Sequence, residues 1–315
     1  MPNMEQATPP TSESSRPAPP AAADRLAAPE GIFSVDVEDW FHILDVPATP
    51  PMAAWDALPS RVEANFLRLL DLFDDWGART TCFFLGWVGE RHPRLVREAD
   101  ARGHEIASHG YDHRLVHEHS RDEFRADALR ARQVLEDIAG APVRGYRSAG
   151  FSVSERTRWF VDCLIEAGYH YDSSIFPAAR EHEGLLRPRR GPHVLEAGSG
   201  SLIEFPVSVA DVLGRPVCFF GGGYLRLFPY ALIRRMSRQV AREGRPVVFY
   251  IHPREIDPDH PRLPMNWRRR FKSYYNLEST LGKVRRVLAE FRLTTFHDYL
   301  ARRGDDLPRV PFQGS

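Results

Sequence analysis

The chain has 315 residues, with 42 basic and 42 acidic side chains and a formal net charge of zero, so no global field recruits nucleic acid or an anionic membrane. A hydrophobic content of 43% is ample for one large domain or two small ones. Cys82, Cys163 and Cys218 lie far apart without CxxC spacing, which argues against a disulfide framework or a thiolate metal site and leaves them as buried small hydrophobes.

Residues 1–29, rich in Pro, Ala and Ser, lack apolar periodicity and read as a disordered tail. They show no apolar h-region behind a basic start, and no stretch of 18 apolar residues occurs in the chain; the expectation is a soluble, cytoplasmic protein without stable membrane insertion. A domain is expected over 30–305, with 306–315 as a C-terminal tail. Ile32–Phe41 (IFSVDVEDWF) opens the domain as a strand. Alternation puts Ile32, Ser34, Asp36 and Glu38 on one side and Phe33, Val35 and Val37 on the other. Unpaired carboxylates in so apolar a setting are strongly destabilising, so a positive partner is expected.

Ser60 and Glu63 then form a capping-box pattern ahead of a helix whose apolar residues Val62, Phe66, Leu69, Leu70 and Phe73 recur at helical spacing up to Gly77. ARTTCFFLG from Ala78 reads as a strand, PRLVREADARG from Pro93 as a helix and HEIASH from His104 as a strand. Then come the helix RDEFRADALRARQVLEDIAG, the short strand VRGYRS, the helix SERTRWFVDCLIEAG, the strands YHYDSS and SLIEFPVSV, the helix PYALIRRMSRQVAREG, the strand PVVFYIHP, the helix STLGKVRRVLAEF and a last extended piece, RLTTF. The segment Ile256–Tyr275 has little regular pattern and reads as a lid or wall; the basic clusters at 187–190 and 268–270 read as solvated loops. Alternating strands and helices imply a mostly parallel α/β sheet, closed as a barrel or open and doubly wound. The absence of GxGxxG or Walker patterns weakens the open nucleotide-binding option.

In a barrel of this kind chemistry lies at the carboxyl ends of the strands. Asp36, Glu38, Asp39, His109, Arg147, Asp172 and His252 all fall at or near such ends. His109 and His113 form a His-x3-His pair that, joined by a carboxylate, suits a divalent ion of zinc type with open positions. His117 and His119, by contrast, read as exposed helix-entry residues. Arg147 is placed to pair with Asp36 and orient it, and His252 to act as a general acid or base with Asp172 as its tuning partner.

These residues resemble the polysaccharide deacetylases of carbohydrate esterase family 4, the NodB-homology family. SVDVEDW, SHGYDH, GYRSAGF, YDSSIFP and FYIHPREID stand in the order of that family's five motifs. FGGGYLRLFPY, HPREIDP and YYNLEST are similar to a subgroup found with exosortase and exopolysaccharide gene clusters. The resemblance implies a distorted (β/α) barrel of about seven parallel strands and metal-dependent removal of acetyl from an N-acetylated oligo- or polysaccharide. It implies Asp36 as general base, His109, His113 and an acid after Asp36 as metal ligands, Arg147 orienting Asp36, His252 as general acid tuned by Asp172, and an oxyanion donor near Gly150. Because Val37 separates Asp36 from the next acid, the ligand is Glu38 or Asp39, and period two favours Glu38. The ion is zinc, with cobalt or nickel as alternatives. The other readings are an amidohydrolase of small ureides or cyclic imides and a catalytically silent saccharide-binding scaffold. Trp40, Phe41, Tyr224 and Trp267 are the aromatic candidates for a saccharide groove.

Overall fold

A computed structural model of the chain describes residues 28–178 and 188–312, so most of the tail expected over 1–29 lies outside the described residues. The first strand, β1 (Glu30–Val37), is buried along almost its whole length. It is followed by α1 (Val62–Asp75), β2 (Thr81–Phe84), α2 (Gly86–Arg91), α3 (Pro93–Ala101), β3 (Glu105–Ser108), α4 (Arg121–Ala139), β4 (Gly145–Tyr146), α5 (Trp159–Glu166) and β5 (Tyr171–Asp172). The second half holds β6 (His193–Ala197), β7 (Gly200–Glu204), β8 (Val209–Val212), β9 (Arg215–Cys218), α6 (Gly222–Leu227), α7 (Tyr230–Arg242), β10 (Val247–Ile251), α8 (Trp267–Tyr274), α9 (Thr280–Glu290), β11 (Arg292–Thr294), α10 (Phe296–Arg303) and β12 (Arg309–Pro311).

Seven consecutive strands, β10-β1-β2-β3-β4-β5-β7, pair in parallel and form the frame of a distorted α/β barrel. β6 adds antiparallel to β7, β12 pairs with β6, and β11 pairs with β1. Because the frame strands run in one direction, their carboxyl ends share one edge, and the residues just past those ends are brought together.

The alternation read in β1 sets the layers. Phe33, Val35 and Val37 pack in the large core between sheet and helices, against residues such as Phe66, Leu69 and Phe73 of α1. Ile32 instead faces the barrel interior with Phe83, Ala107, Tyr171, Phe205, Val248 and Phe296. Ser34 and Asp36 follow Ile32 on this inner face, so β1 carries its apolar layer below and its polar residues towards the rim.

Several helix signals act as expected. Ser120 and Glu123 form a reciprocal capping box at the start of α4, and Gly140 ends it in the left-handed conformation that a Cβ disfavours. The Ser60–Glu63 box does not form: Asp39 reaches across from the end of β1 and accepts from Arg61 N and Val62 N, while Ser60 Oγ donates to Asp39 Oδ2 at 2.6 Å. The single extended piece expected at SLIEFPVSV is two strands, β7 and β8, broken after Glu204 where Pro206 lacks the donor to continue. Residues 309–311, expected in a tail, add a strand to the sheet edge, and Phe312 beyond them is buried. Within Ile256–Tyr275, and including the arginines at 268–270, lies a helix, α8, capped by the Asn266 side chain.

Candidate active site

A cavity of about 590 Å³ opens at the carboxyl edge of the sheet, lined by Asp36, Glu38, His109, His113, Gly150 and His252 among others. Six of the nine residues singled out in the sequence therefore share one space. Arg147 lies behind it, fully buried, and touches Asp36 from below. Asp39 and Asp172 are turned elsewhere.

Asp36 ends the inner row of β1. Its Oδ1 accepts from Arg147 Nη1 at 2.6 Å, and its Oδ2 lies 3.8 Å from His252 Nε2. Arg147 is itself locked: it donates to Ser34 Oγ, Ser173 Oγ and Ser173 O, and its guanidinium sits 4.1 Å over the Phe83 ring. A buried guanidinium is costly unless its donors are satisfied, and this one is paired with a single carboxylate whose orientation it fixes.

Glu38, 1% exposed, follows the strand. Burial alone would raise its carboxyl, but Arg254 at 2.9 Å with His113 and His252 beside it outweighs burial and holds it well below the usual range. Its Oε2 lies 2.9 Å from His113 Nε2 yet makes no hydrogen bond among the described residues, so the two atoms converge rather than pair. His109 completes the convergence: one ligand atom each from Glu38, His109 and His113 lie within 4.8 Å of one another. His109 Nδ1 is 2.8 Å from Arg147 O, and a carbonyl only accepts, so Nδ1 carries the proton and Nε2 keeps its lone pair. Burial pushes His109 down to about 4, which keeps the ring neutral. His113 reaches the site from a left-handed backbone (φ 59°), a conformation disfavoured for a residue with a Cβ. Two buried imidazoles and one buried carboxylate, its Oε2 without a hydrogen-bond partner among the described residues, are a donor set that fits a divalent ion of zinc type.

Asp39 does not belong to this set. Its carboxylate accepts from Trp40 N, Arg61 N, Val62 N and Ser60 Oγ, which places it as a cap on α1. Glu38 is thus the acid that meets the histidines, as alternation along β1 indicated.

Asp172 is the other correction. It lies opposite Glu204 in the β5–β7 pairing and accepts from Ser174 Oγ. The carboxylate at His252 Nδ1 is Glu255, at 3.1 Å, which also accepts from His252 N. Glu255 is in turn held by Arg226 of α6. The sequence signal was available in HPREID, where an acid three residues after His252 returns to it in a single 3-10 turn (Pro253–Ile256). Burial opposes charge on His252, but Glu38 and Glu255 prevail and lift it to about 9. Arg226, Arg254 and His42 are further residues the sequence reading missed. His42 lines the cavity with Nδ1 accepting from Asp39 N, and its Nε2 is buried without a partner among the described residues.

Gly150 lines the cavity with φ 58°, and an added Cβ would meet Leu44 at 2.9 Å. Of the aromatic candidates, Trp40 and Phe41 are core, whereas Tyr224 and Trp267 are exposed. His119, expected to be exposed, is buried against Phe124 and Asp112, while His117 is exposed.

The chain has relatives. Residues 50–171 match the polysaccharide deacetylase family. That deacetylase match holds His109, His113 and Arg147; residues 173–301, with His252 and Glu255, match a second model, a domain of unknown function (DUF3473). Two curated peptidoglycan-N-acetylglucosamine deacetylases of Bacillus cereus are each 29% identical, over 73 residues (23% of this chain, 26% of the relative) and 102 residues (32% and 46%). The chain thus spans about a quarter and just under half of those deacetylases. Among solved structures, a Mycobacterium smegmatis protein described as a polysaccharide deacetylase superposes with TM-score 0.60 at 21% identity, covering 95% of this chain and 98% of that one. The PuuE allantoinase gives 0.58 at 16%, covering 89% and 91%. A Pseudomonas aeruginosa protein described in the same deacetylase terms gives 0.58 at 16%, covering 88% and 91%. At these identities the likeness is one of fold.

Proposed function

We propose that the protein is a metal-dependent N-deacetylase that hydrolyses the acetamide of an N-acetylated saccharide, in exopolysaccharide or cell-surface glycan synthesis. The observation that carries this reading is the convergence of Glu38, His109 and His113 on one point in a cavity that also holds Asp36 and His252. The deacetylase match over residues 50–171 and the order of the five motifs support it, and the exopolysaccharide role rests on the likeness of FGGGYLRLFPY, HPREIDP and YYNLEST to the exosortase-associated subgroup.

Glu38, His109 and His113 would hold the ion, zinc by the donor set or cobalt or nickel in its place. When bound, a divalent ion supplies Lewis-acid polarisation of the acetyl carbonyl and acidifies water. Asp36, fixed by Arg147, takes the proton of the attacking water. Gly150, with no side chain, lets the backbone approach the carbonyl oxygen as negative charge develops there. His252, oriented through Nδ1 by Glu255, presents Nε2 to the cavity and gives its proton to the departing amine. Water and the amide are consumed; acetate and a free amino sugar result.

The test is acetate release from an N-acetylglucosamine oligomer by protein stripped of metal and resupplied with zinc or cobalt. Restored release supports the assignment. Metal binding without acetate release would turn the reading towards small ureides or a silent saccharide-binding scaffold.

A further inference from the structure

The mouth of the cavity carries a surface that hydrolysis does not require. Among the described residues, four of the eight exposed large apolar side chains sit there, Tyr224 and Leu227 of α6 and Phe271 and Tyr275 on and just after α8, and a fifth, Trp267, lies one turn before Phe271. Trp267, Phe271 and Tyr275 follow one another every four residues and so form one stripe, with the Phe271 and Tyr275 rings 4.6 Å apart and Trp267 74% exposed. Tyr274 points inward instead and is buried.

The stripe is not a frayed segment. Arg226 donates to Lys272 O, Ser273 O and Tyr275 O, Asn266 caps the helix start, and Arg269 donates to Leu44 O. The charge is also one-sided. In a chain of zero net charge, residues 260–277 hold five basic side chains (Arg262, Arg268, Arg269, Arg270 and Lys272) and no acid. Arg268 and Arg270 flank the stripe and are exposed. Aromatic faces alone would suit a saccharide. Aromatic and leucine side chains beside the exposed Arg268 and Arg270, held rigidly outward, match the interface of an anionic bilayer.

We infer that α8 with α6 is a peripheral docking surface for an anionic lipid membrane. Tyr224, Leu227, Phe271 and Tyr275 also line the cavity, so docking brings its mouth to the headgroup layer. A saccharide carried on a membrane lipid would then reach Asp36 and His252; this last step rests on the proposed deacetylation, whereas the docking does not.

The test is co-sedimentation of the full chain with vesicles of phosphatidylcholine alone and with phosphatidylglycerol added. Binding is expected only with the anionic lipid and falls as salt rises. Trp267→Ser weakens it roughly tenfold. Arg268→Gln and Arg270→Gln weaken it about fivefold each. Arg268→Gln and Arg270→Gln keep wild-type acetate release from a soluble oligomer, and all three variants keep wild-type thermal unfolding. No sedimentation with anionic vesicles at low salt, or binding unchanged in all three variants, overturns the proposal. A soluble N-acetylglucosamine oligomer that perturbs Trp267 fluorescence while vesicles do not would overturn it in favour of a saccharide platform.

Discussion

At the end of β1, Asp36 and Glu38 are each 1% exposed and line a cavity, Asp36 paired with Arg147 behind it and Glu38 against Arg254, His113 and His252. At the ends of β5 and β7, Asp172 and Glu204 are equally buried but lie opposite each other, bound to Ser174 Oγ and Ile175 N. Burial is shared; the partners differ. Where cations surround the acid, Glu38 is held well below its ordinary range. Where acid faces acid, burial first and then the neighbouring charge push Glu204 well up, and burial lifts Asp172 to about 6. A buried acid therefore marks a reactive site only when orphaned lone pairs, a charge partner and open space coincide.

Substitution on the two sides should separate them. Asp36→Asn is expected to lower acetate release by about 10³-fold while zinc content stays at wild type, measured by steady-state kinetics beside metal analysis. Wild-type rates in this variant would remove the general base from the account. Glu255→Gln comes next. Its amide still fills the space but no longer accepts from His252 in the same way, and kcat should fall 10- to 100-fold, by analogy with outer-shell partners of reactive histidines, at nearly constant KM. An equal loss of kcat in Asp172→Asn would mean that the acid pair, not Glu255, governs His252.

For Asp172→Asn the expected effect is on stability. Between the unfolded value of 3.8 and the folded value of about 6 the native state binds more protons, so this group's contribution to stability falls as pH rises through that window. Replacing it should stabilise the protein at pH 8 by about 2–3 kcal/mol and flatten the pH dependence of urea unfolding from 4 to 6. A wild-type slope would contradict the assignment. The smallest effect belongs to Asp39→Asn, which weakens a helix cap and costs about 1 kcal/mol with no loss of metal, read by urea titration and metal analysis.

Much of this was legible before the fold was known. Alternation along β1 placed Asp36 and Glu38 on the inner face, and the strand-helix rhythm put His109, Arg147 and His252 on the same edge. What was illegible depended on contacts between distant segments. Ser60 and Glu63 carry the right capping pattern, but Asp39, 21 residues before Ser60, takes the cap instead. Asp172 has the position of a tuning acid, yet Glu204, carried in by β7, claims it. Glu255 is local to His252, but its holder Arg226 comes from another helix. α8 hid because its aromatic stripe faces outward, where an apolar periodicity for the core would not look.

The most direct test of the central claim is a zinc count by equilibrium dialysis on the wild type, Glu38→Gln, His109→Ala and Asp39→Asn. The account predicts one tightly held ion in the wild type and in Asp39→Asn, and its loss in the other two. Retention in Glu38→Gln, or loss in Asp39→Asn with its fold intact, would contradict it.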